Sequence, residues 1–432
     1  ENGYTLLRGN SQQRYFSALD EDDINVKAGL VYRLKDDVEE ISNIRLGYTG
    51  RFVDDSFKAT EYNLTVEHAS DFPSLDGFLL DDYYNRDNLS SGWFKIQKNV
   101  DKYTVTKNIH SAYAEATYQF TSRWIVNLGL KYDYVDINVD YNVNRGGSEG
   151  SNTIRKDYFL PSLNLKYNLN EKHSLRLGAS KTYTLPQAKE ISPYRYVGVN
   201  FNSQGNPNLK PSDNYNFDLK WDFNPSPTEL VSLTAFYKHI KDPISRIEVA
   251  SAGGYLSYEN ISDRAIVAGV EVEIRKNLFV RPLSSAANGM NKLSFGLNGS
   301  YIYTNAKMPL ATVTTGSQLE GAAPWIANFD LSHHFTRDER SFVNTLVLNY
   351  VSDKIYTIGT QGYQDIMERG LVTLDFVSQA RLNKYLSLNL KARNLLNPSH
   401  KLSRKANESG EKVVLGDYKK GINISLGVSC TF

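Results

Sequence analysis

The sequence predicts an all-β chain folded as an antiparallel β-barrel that spans a membrane. Three observations carry that reading. Apolar residues recur at every second position through one segment after another, the connections between segments alternate long and short, and helix-period stretches are almost absent. The last segment shows the pattern most plainly: Ile422, Ile424, Leu426, Val428, Cys430 and Phe432 fall on one face, and Asn423, Ser425, Gly427, Ser429 and Thr431 on the other. A soluble edge strand with such an apolar row invites aggregation unless it closes into a sheet or barrel.

Taken in order, the first strands are Ile24–Leu34 and Ile44–Phe52, joined by the charged turn Lys35–Glu40. Residues 65–100 lose the alternation and read as a long loop. Ala112–Phe120 turns at Thr121-Ser122-Arg123 into Trp124–Tyr134, and the Gly/Ser/Asn-rich stretch Asn142–Asn152 reads as a further loop. Phe159–Tyr167 and Leu175–Ala179 flank the short turn Asn168–His173, and residues 184–212, punctuated by proline, form a second long excursion. Phe217–Phe223 and Val231–Tyr237 are joined through Asn224-Pro225-Ser226-Pro227. Then come Ala268–Ile274 and Leu293–Tyr303, a loop within 307–324, Ala327–Phe335 and Leu346–Tyr350 around Thr336–Arg340. Val372–Leu382 and Leu386–Ala392 meet at Asn383-Lys384-Tyr385, and a last loop, 398–412, precedes the terminal strand. This makes roughly 14–16 strands of about ten residues, the length a tilted strand needs to cross a bilayer. A soluble sandwich lacks the long/short beat, and a propeller needs a repeat of about 40 residues that is not seen.

Composition agrees. Tyr is abundant, at 29, beside 19 Phe and 4 Trp, as expected of aromatic girdles at two bilayer interfaces. Lys+Arg of 49 against Asp+Glu of 48 argues against a nucleic-acid partner. No stretch of 18 apolar residues forms a transmembrane helix, and the mean hydropathy of −0.45 is diluted by lumen and loop residues. The single cysteine, Cys430, excludes an internal disulfide framework. An exported barrel needs a signal peptide, and none precedes Tyr4, so the chain reads as a C-terminal portion of a longer protein.

With the apolar rows against lipid, the opposite rows hold Glu115, Lys131, Asp133, Arg176, Asp218, Lys220, Glu271, Glu273, Arg275, Asp330, Asp375, Arg381, Lys391 and Arg393. Charges of both signs there imply a watery lumen wall or one that grips a polar plug. No cofactor is expected. His333-His334 are strand neighbours pointing to opposite faces, Asp81-Asp82 reads as a hydrophilic loop tip, and neither a nucleophile elbow nor a phosphate loop is present, so no enzyme is expected.

Several segments resemble the barrel of TonB-dependent outer-membrane receptors, especially the Bacteroidetes type. They are Gly205-Asn206-Pro207-Asn208-Leu209-Lys210-Pro211 with Asn214-Tyr215, Tyr258-Glu259-Asn260 with Gly269-Val270-Glu271, Pro324 with Ala327-Asn328, Asn394-Leu395-Leu396-Asn397, and terminal Phe432. Their order over residues 180–432 makes the resemblance specific. It implies a 22-stranded barrel in the bacterial outer membrane, surrounded by lipid, whose plug, coupling box and first strands lie outside this segment. It further implies capture of a nutrient (siderophore, haem, cobalamin, glycan or peptide) on extracellular loops near 65–100, 184–212, 307–324 and 398–412. Uptake is then energised through the TonB complex, which the absent N-terminal region would engage. Tyr83, Tyr84, Trp93, Tyr194, Tyr196 and Trp325 are candidate stacking groups for the ligand, and Phe432 resembles the signal read by barrel-assembly machinery. Two other readings stay open: a passive porin-like channel, and a receptor-like scaffold for surface lipoproteins.

Overall fold

The computed structural model describes residues 12–34, 42–66, 85–144, 148–198, 200–249, 254–283, 289–306, 318–406 and 409–431. Tyr83, Tyr84, Asp81-Asp82, 307–317 and Phe432 lie outside them. In chain order the strands are β1 (Gln12–Arg33), β2 (Asn43–Val66), β3 (Phe94–Gln119), β4 (Trp124–Val143), β5 (Ser148–Asn168), β6 (His173–Thr184), β7 (Arg195–Tyr196), β8 (Asn202–Gln204), β9 (Ser212–Phe223), β10 (Leu230–Lys241), β11 (Ile244–Val249) and β12 (Tyr255–Asn260). They continue as β13 (Arg264–Pro282), β14 (Met290–Ala306), β15 (Trp325–Arg337), β16 (Arg340–Val351), β17 (Lys354–Thr357), β18 (Ile366–Glu368), β19 (Leu371–Arg381), β20 (Leu386–Arg393), β21 (Ser399–Lys405), β22 (Lys412–Lys419) and β23 (Asn423–Cys430). Among the described residues two short helices, Arg86–Ser90 and Ala188–Ile191, interrupt them.

Fifteen strands form one sheet in the order β1-β2-β3-β4-β5-β6-β9-β10-β13-β14-β15-β16-β19-β20-β23, every pair antiparallel. This matches the expected wall. The other eight make two four-stranded sheets, β11-β12-β8-β7 and β17-β18-β21-β22, both at the end of the wall that carries the long connections. That end is called the loop end below, and the opposite one the turn end.

The apolar rows are exposed along the wall, from Leu46 and Leu128 through Leu219, Val272 and Leu348 to Leu426 and Val428. Aromatic pairs bound this band. At the turn end Trp124 meets Tyr167 at 4.3 Å between ring centroids, and His173 stacks on Trp221 and Phe223. At the loop end Tyr48 bonds His110 through Nδ1, Tyr132 donates to Asp157, and Tyr301 packs on Trp325. On β4 the band runs from Trp124 to Tyr134, matching the roughly 9–11 residues of a tilted strand crossing hydrocarbon.

Beyond that level the polarity of β2–β5 inverts. The outward row turns polar, with Asp54, Lys58, Thr106, Asp136, Asn138 and Arg155. The inward row turns apolar, and Val53, Phe57, Ala59, Tyr103, Val105, Val135, Ile137, Val139 and Val143 are buried in one cluster or beside it. The switch follows the register, since Phe52 pairs Asn108, Asn108 pairs Asp136, and Tyr134 pairs Asp157. The physical cause is a change of solvent on each face: water replaces lipid outside, and packed protein replaces the wet lumen inside.

The inversion corrects several sequence expectations. The excursion read at 65–100 is narrower, because β2 continues to Val66 and pairs with β3 from Phe94. Asn142–Asn152 is a hairpin rather than a loop, with Val143 opposite Ser148. Residues 398–412 contain β21 and the start of β22, which pair with each other. Polar composition reads as loop, but a strand standing in water outside the membrane is polar on its outward row too.

Neighbouring residues on β4 should therefore respond oppositely to substitution. Ile137→Asp places a charge in the inward cluster and should cost about 3–5 kcal/mol. Asn138→Ser, on the outward row, should stay within about 0.5 kcal/mol. Urea unfolding of the refolded protein in detergent measures both, and equal costs would refute the inverted facing.

Candidate functional site

The connections of the loop end fold back against the inward face of the wall. Helix Ala188–Ile191 and residues 192–198 and 200–211 form the first part. Ile191, Tyr194 and Leu209 are buried in the same cluster as Phe57, Tyr103 and Ile137. Two of the motifs noted in the sequence prove to be halves of one clasp. Asn206 donates through Nδ2 to the Tyr258 carbonyl, Asn260 accepts from the Lys210 amide at 2.9 Å, and its own amide donates to the carbonyls of Lys210 and Asp242. Gly205 is required there, since a Cβ would collide with the carbonyl oxygens of Ser192 and Lys189.

The second part joins β11, β12, residues 318–324, β17, β18, β21 and β22. Ile247, Ile261, Leu319, Ile355 and Ile358 pack there on Ala265 and Ala306, which lie at the loop ends of β13 and β14. The two small sheets meet at one bridge, Ile247 with Ile358, where the Glu248 amide donates to the Ile358 carbonyl and the Ile358 amide to the Arg246 carbonyl. Together they form a crown between the wall strands β2–β5 and β13–β14.

Charged and aromatic side chains line the seam of this crown. Arg246 pairs with Glu320 at 2.9 Å, and its guanidinium lies 3.9 Å from the centre of the Tyr356 ring. Arg404 pairs with Glu248 and stands 5.2 Å from the Tyr363 ring centre. Lys189 sits 4.1 Å over the Tyr196 ring. Each cation thus has an aromatic face, an arrangement that gains most where water is excluded. Burial raises the carboxyl pKa of Glu320, against the lowering effect of its bonds to Arg246, and burial likewise raises that of Glu190. Burial, then the nearby charge of Arg246, lowers the Lys189 ammonium pKa. Such a cluster can receive an anionic ligand carrying planar or aromatic groups, with the arginines exchanging one carboxylate for another.

The residues singled out in the sequence are dispersed. Tyr194 is not an exposed stacking group: it is 2% exposed, bonds the Tyr15 hydroxyl at 2.9 Å and packs on Phe57 and Tyr103. Trp325 is not in a loop. It opens β15 on the outward row, 56% exposed beside Tyr301, where it belongs to the loop-end aromatic belt. Tyr196 stays at the crown under Lys189, and Trp93 lies just before β3, bonded through its amide to Asn88.

The inward charges lie lower on the wall and largely pair among themselves. Lys131 meets Asp133 at 2.8 Å, Asp222 receives Arg176 and Lys220, Glu273 meets Arg275, and Glu115 accepts from Asn127. Asp330 fills the space left by Gly296 across the strand. Asp375 accepts the backbone amide of Asn394. That contact belongs to the Asn394–Asn397 clasp, where both asparagines hold positive φ and bond Gly421. Asp218 pairs in register with Gly178 and Phe236, and Glu271 with Thr234 and Ser300. Arg381, Lys391 and Arg393 take their places on β19 and β20.

Sequence reasoning missed Lys189, Arg246, Glu248, Glu320, Tyr356, Tyr363 and Arg404. The available signal was weak: each of five connections supplies a charged residue, an aromatic residue or both, but their convergence is a tertiary fact.

The raised carboxyl pKa values set a pH dependence. A carboxyl whose folded pKa lies above its unfolded one stabilises the closed crown in acid, and that contribution is lost as pH rises through the folded pKa. After correction for intrinsic exchange, amides of β11 and residues 318–324 should be better protected at about pH 5 than at about pH 7.5, and Glu320→Gln should flatten the difference. Equal protection of the unmodified protein at both pH values would contradict the assignment.

The profile of the family described as TonB dependent receptor-like, beta-barrel matches residues 2–395. The iron-regulated outer membrane virulence protein of Vibrio cholerae serotype O1 is 25% identical over 228 residues, which cover 50% of this chain and 32% of that protein. The fold is similar to the ferric yersiniabactin uptake receptor FyuA from Yersinia pestis, with TM-score 0.60, 14% identity, and coverage of 97% of this chain and 55% of that one. It is also similar to the copper transporter OprC, with TM-score 0.61, 13% identity, and coverage of 97% and 57%. The chain therefore spans little more than half of these receptors and about a third of the curated relative. An exposed apolar band between aromatic belts, a charged inward wall and this match over most of the chain converge: the chain belongs to the TonB-dependent receptor β-barrel family of the bacterial outer membrane.

Proposed function

We propose that this chain is the barrel part of a receptor that captures an anionic metal chelate, foremost a ferric siderophore, at the loop end and admits it to the periplasm with energy delivered through TonB. The observation that carries this reading is the crown, where Lys189, Arg246 and Arg404 each rest against a tyrosine ring above a lumen wall of paired charges. The iron-regulated name of the Vibrio cholerae relative favours iron among the metals. A crown folded across the inward face also speaks against a permanently open pore. In this orientation the loop end is extracellular, and Trp325, Tyr301 and Tyr48 mark the outer interface.

The test uses the full-length receptor in iron-starved cells lacking their own siderophore receptors. Uptake of radioactive iron is followed with catecholate, hydroxamate and citrate chelates. One chelate class should be taken up, and collapsing the proton-motive force should reduce uptake at least about tenfold. Arg246→Gln and Arg404→Gln should each weaken chelate binding to the purified receptor about tenfold, the loss of one charge-assisted contact. Trp325→Ala should leave binding unchanged. No uptake of any chelate, with free diffusion of small uncharged solutes into receptor-bearing liposomes, would replace this reading with a passive channel.

A further inference from the structure

The outward row carries no strongly polar side chain on β4 from Trp124 to Tyr132, nor on β20 from Leu386 to Ala392. On four adjacent strands of the wall it does, at Asn291 of β14, His333 of β15, Asn344 of β16 and Ser378 of β19. By alternation these four share the outward face of Phe295, Phe329, Leu348 and Leu374. The register sets three of them on one line, with His333 opposite Asn344 and Asn344 opposite Ser378. Asn291 lies one row nearer the turn end, opposite Phe335.

This polar line sits inside the apolar band rather than at its margin. The next row toward the loop end is Leu331, Leu346 and Phe376. The next row toward the turn end is Phe335, Phe342 and Ala380, and the two phenylalanine rings lie 6.4 Å apart. Residues placed to meet lipid headgroups would stand beyond that aromatic pair, not before it. Polar groups in hydrocarbon are costly unless something pairs with them.

Within the wall the pairing is half complete. His333 Nε2 donates to Asn291 Oδ1 at 2.8 Å, and the Ser378 hydroxyl donates to Asn344 Oδ1 at 2.7 Å. With Nε2 as the donor, Nδ1 of the neutral ring remains an open acceptor. The Asn344 amide nitrogen has no partner among the described residues and remains an open donor. One open acceptor and one open donor thus stand side by side on β15 and β16, facing outward at the same row.

We propose that the outward face of β14, β15, β16 and β19 is the contact surface between two copies of this chain in the membrane. About a two-fold axis between β15 and β16, the Asn344 amide of each copy donates to the His333 ring of the other, so both open groups are satisfied twice over. Acyl chains offer neither a donor nor an acceptor. A second copy inserted in the same orientation brings the complementary pair at the same depth, which a different protein would have to match in depth and in sequence. Leu331, Leu346, Phe335 and Phe342 close around the two bonds and keep lipid out. The inference rests on the membrane placement of the outward row and not on which solute the barrel admits.

Single-molecule photobleaching of the dye-labelled full-length protein in liposomes tests it, with the dimer fraction followed as the protein-to-lipid ratio is raised. The parent protein should pass from one bleaching step to two. Asn344→Leu and His333→Leu should each weaken the dimer at least about fivefold, the loss expected from hydrogen bonds made in lipid. Because each removes the same reciprocal bonds, the double variant should lose no more than the weaker-binding single one. His333→Gln, which keeps an acceptor, should retain most of the association. Both leucine substitutions suit a lipid-facing position, and heat-modifiable migration shows that each variant is folded. A parent protein that stays monomeric at every density, a dimer that both leucine variants keep, or losses that add in the double variant would overturn the proposal.

Discussion

The constraint on which the rest depends is that hydrocarbon touches only one side of the wall, and only over about ten residues of each strand. Within that band each backbone polar group must find a partner in the ladder, and each outward side chain must be apolar. Between neighbouring strands the fifteen-stranded antiparallel order meets the first demand, and the exposed rows that include Leu46, Leu128, Leu219 and Leu348 meet the second. Where the band ends, the demand reverses. On β4 the outward row passes from Tyr134 to Asp136 and Asn138, while the inward row passes from Lys131 and Asp133 to Val135, Ile137 and Val139. One alternating strand thus serves two environments because both of its faces change solvent at the same level.

That reversal gives the crown its foundation. An apolar inward row above the membrane needs a covering, and Ile191, Tyr194 and Leu209 supply it on one side of the wall. On the other side, Ile247, Leu319 and Ile358 cover Ala265 and Ala306. Between these two dry footings the crown is held polar to polar, through the Asn206–Tyr258 and Asn260–Lys210 clasp and the ion pairs of Arg246 and Arg404. Such a seam is weaker than a packed core because each ion pair must recover the cost of leaving water. This places the readily opened part of the crown where its cations and tyrosines are, and the firmly packed parts against the wall.

The wall itself has two distinct polar economies. Its lumen charges are mostly matched on neighbouring strands, as with Arg176, Lys220 and Asp222. Its lipid face is mainly apolar; Asn344 and Ser378 bond each other on the outward row, and at the notch beside Pro161 Lys181 and Asp213 also stand out of pattern. A residue that breaks a strict alternation marks either a break in the ladder or a ligand, and here the broken β5–β6 ladder supplies the first.

The sequence by itself determined the wall. Period-two alternation, the short turns at Thr121–Arg123 and Asn383–Tyr385, and the long/short beat follow from local chemistry that a lipid-facing strand cannot avoid, and the structure shows each of them. The sequence did not separate a polar strand in water from a loop, so Asn142–Asn152 and residues 398–412 read as loops although they pair. Nor did it separate a buried tyrosine from a displayed one: Tyr194 and Tyr196 are two positions apart and both touch Tyr15, yet the first is buried and the second exposed under Lys189. Only the tertiary structure decided that Trp325 belongs to the lipid interface and that Arg246, Glu320, Tyr356 and Arg404 share one seam. Alternation is enforced by a solvent that every membrane strand meets, whereas the crown depends on residues 50 to 156 positions apart that become neighbours only once the wall is in place.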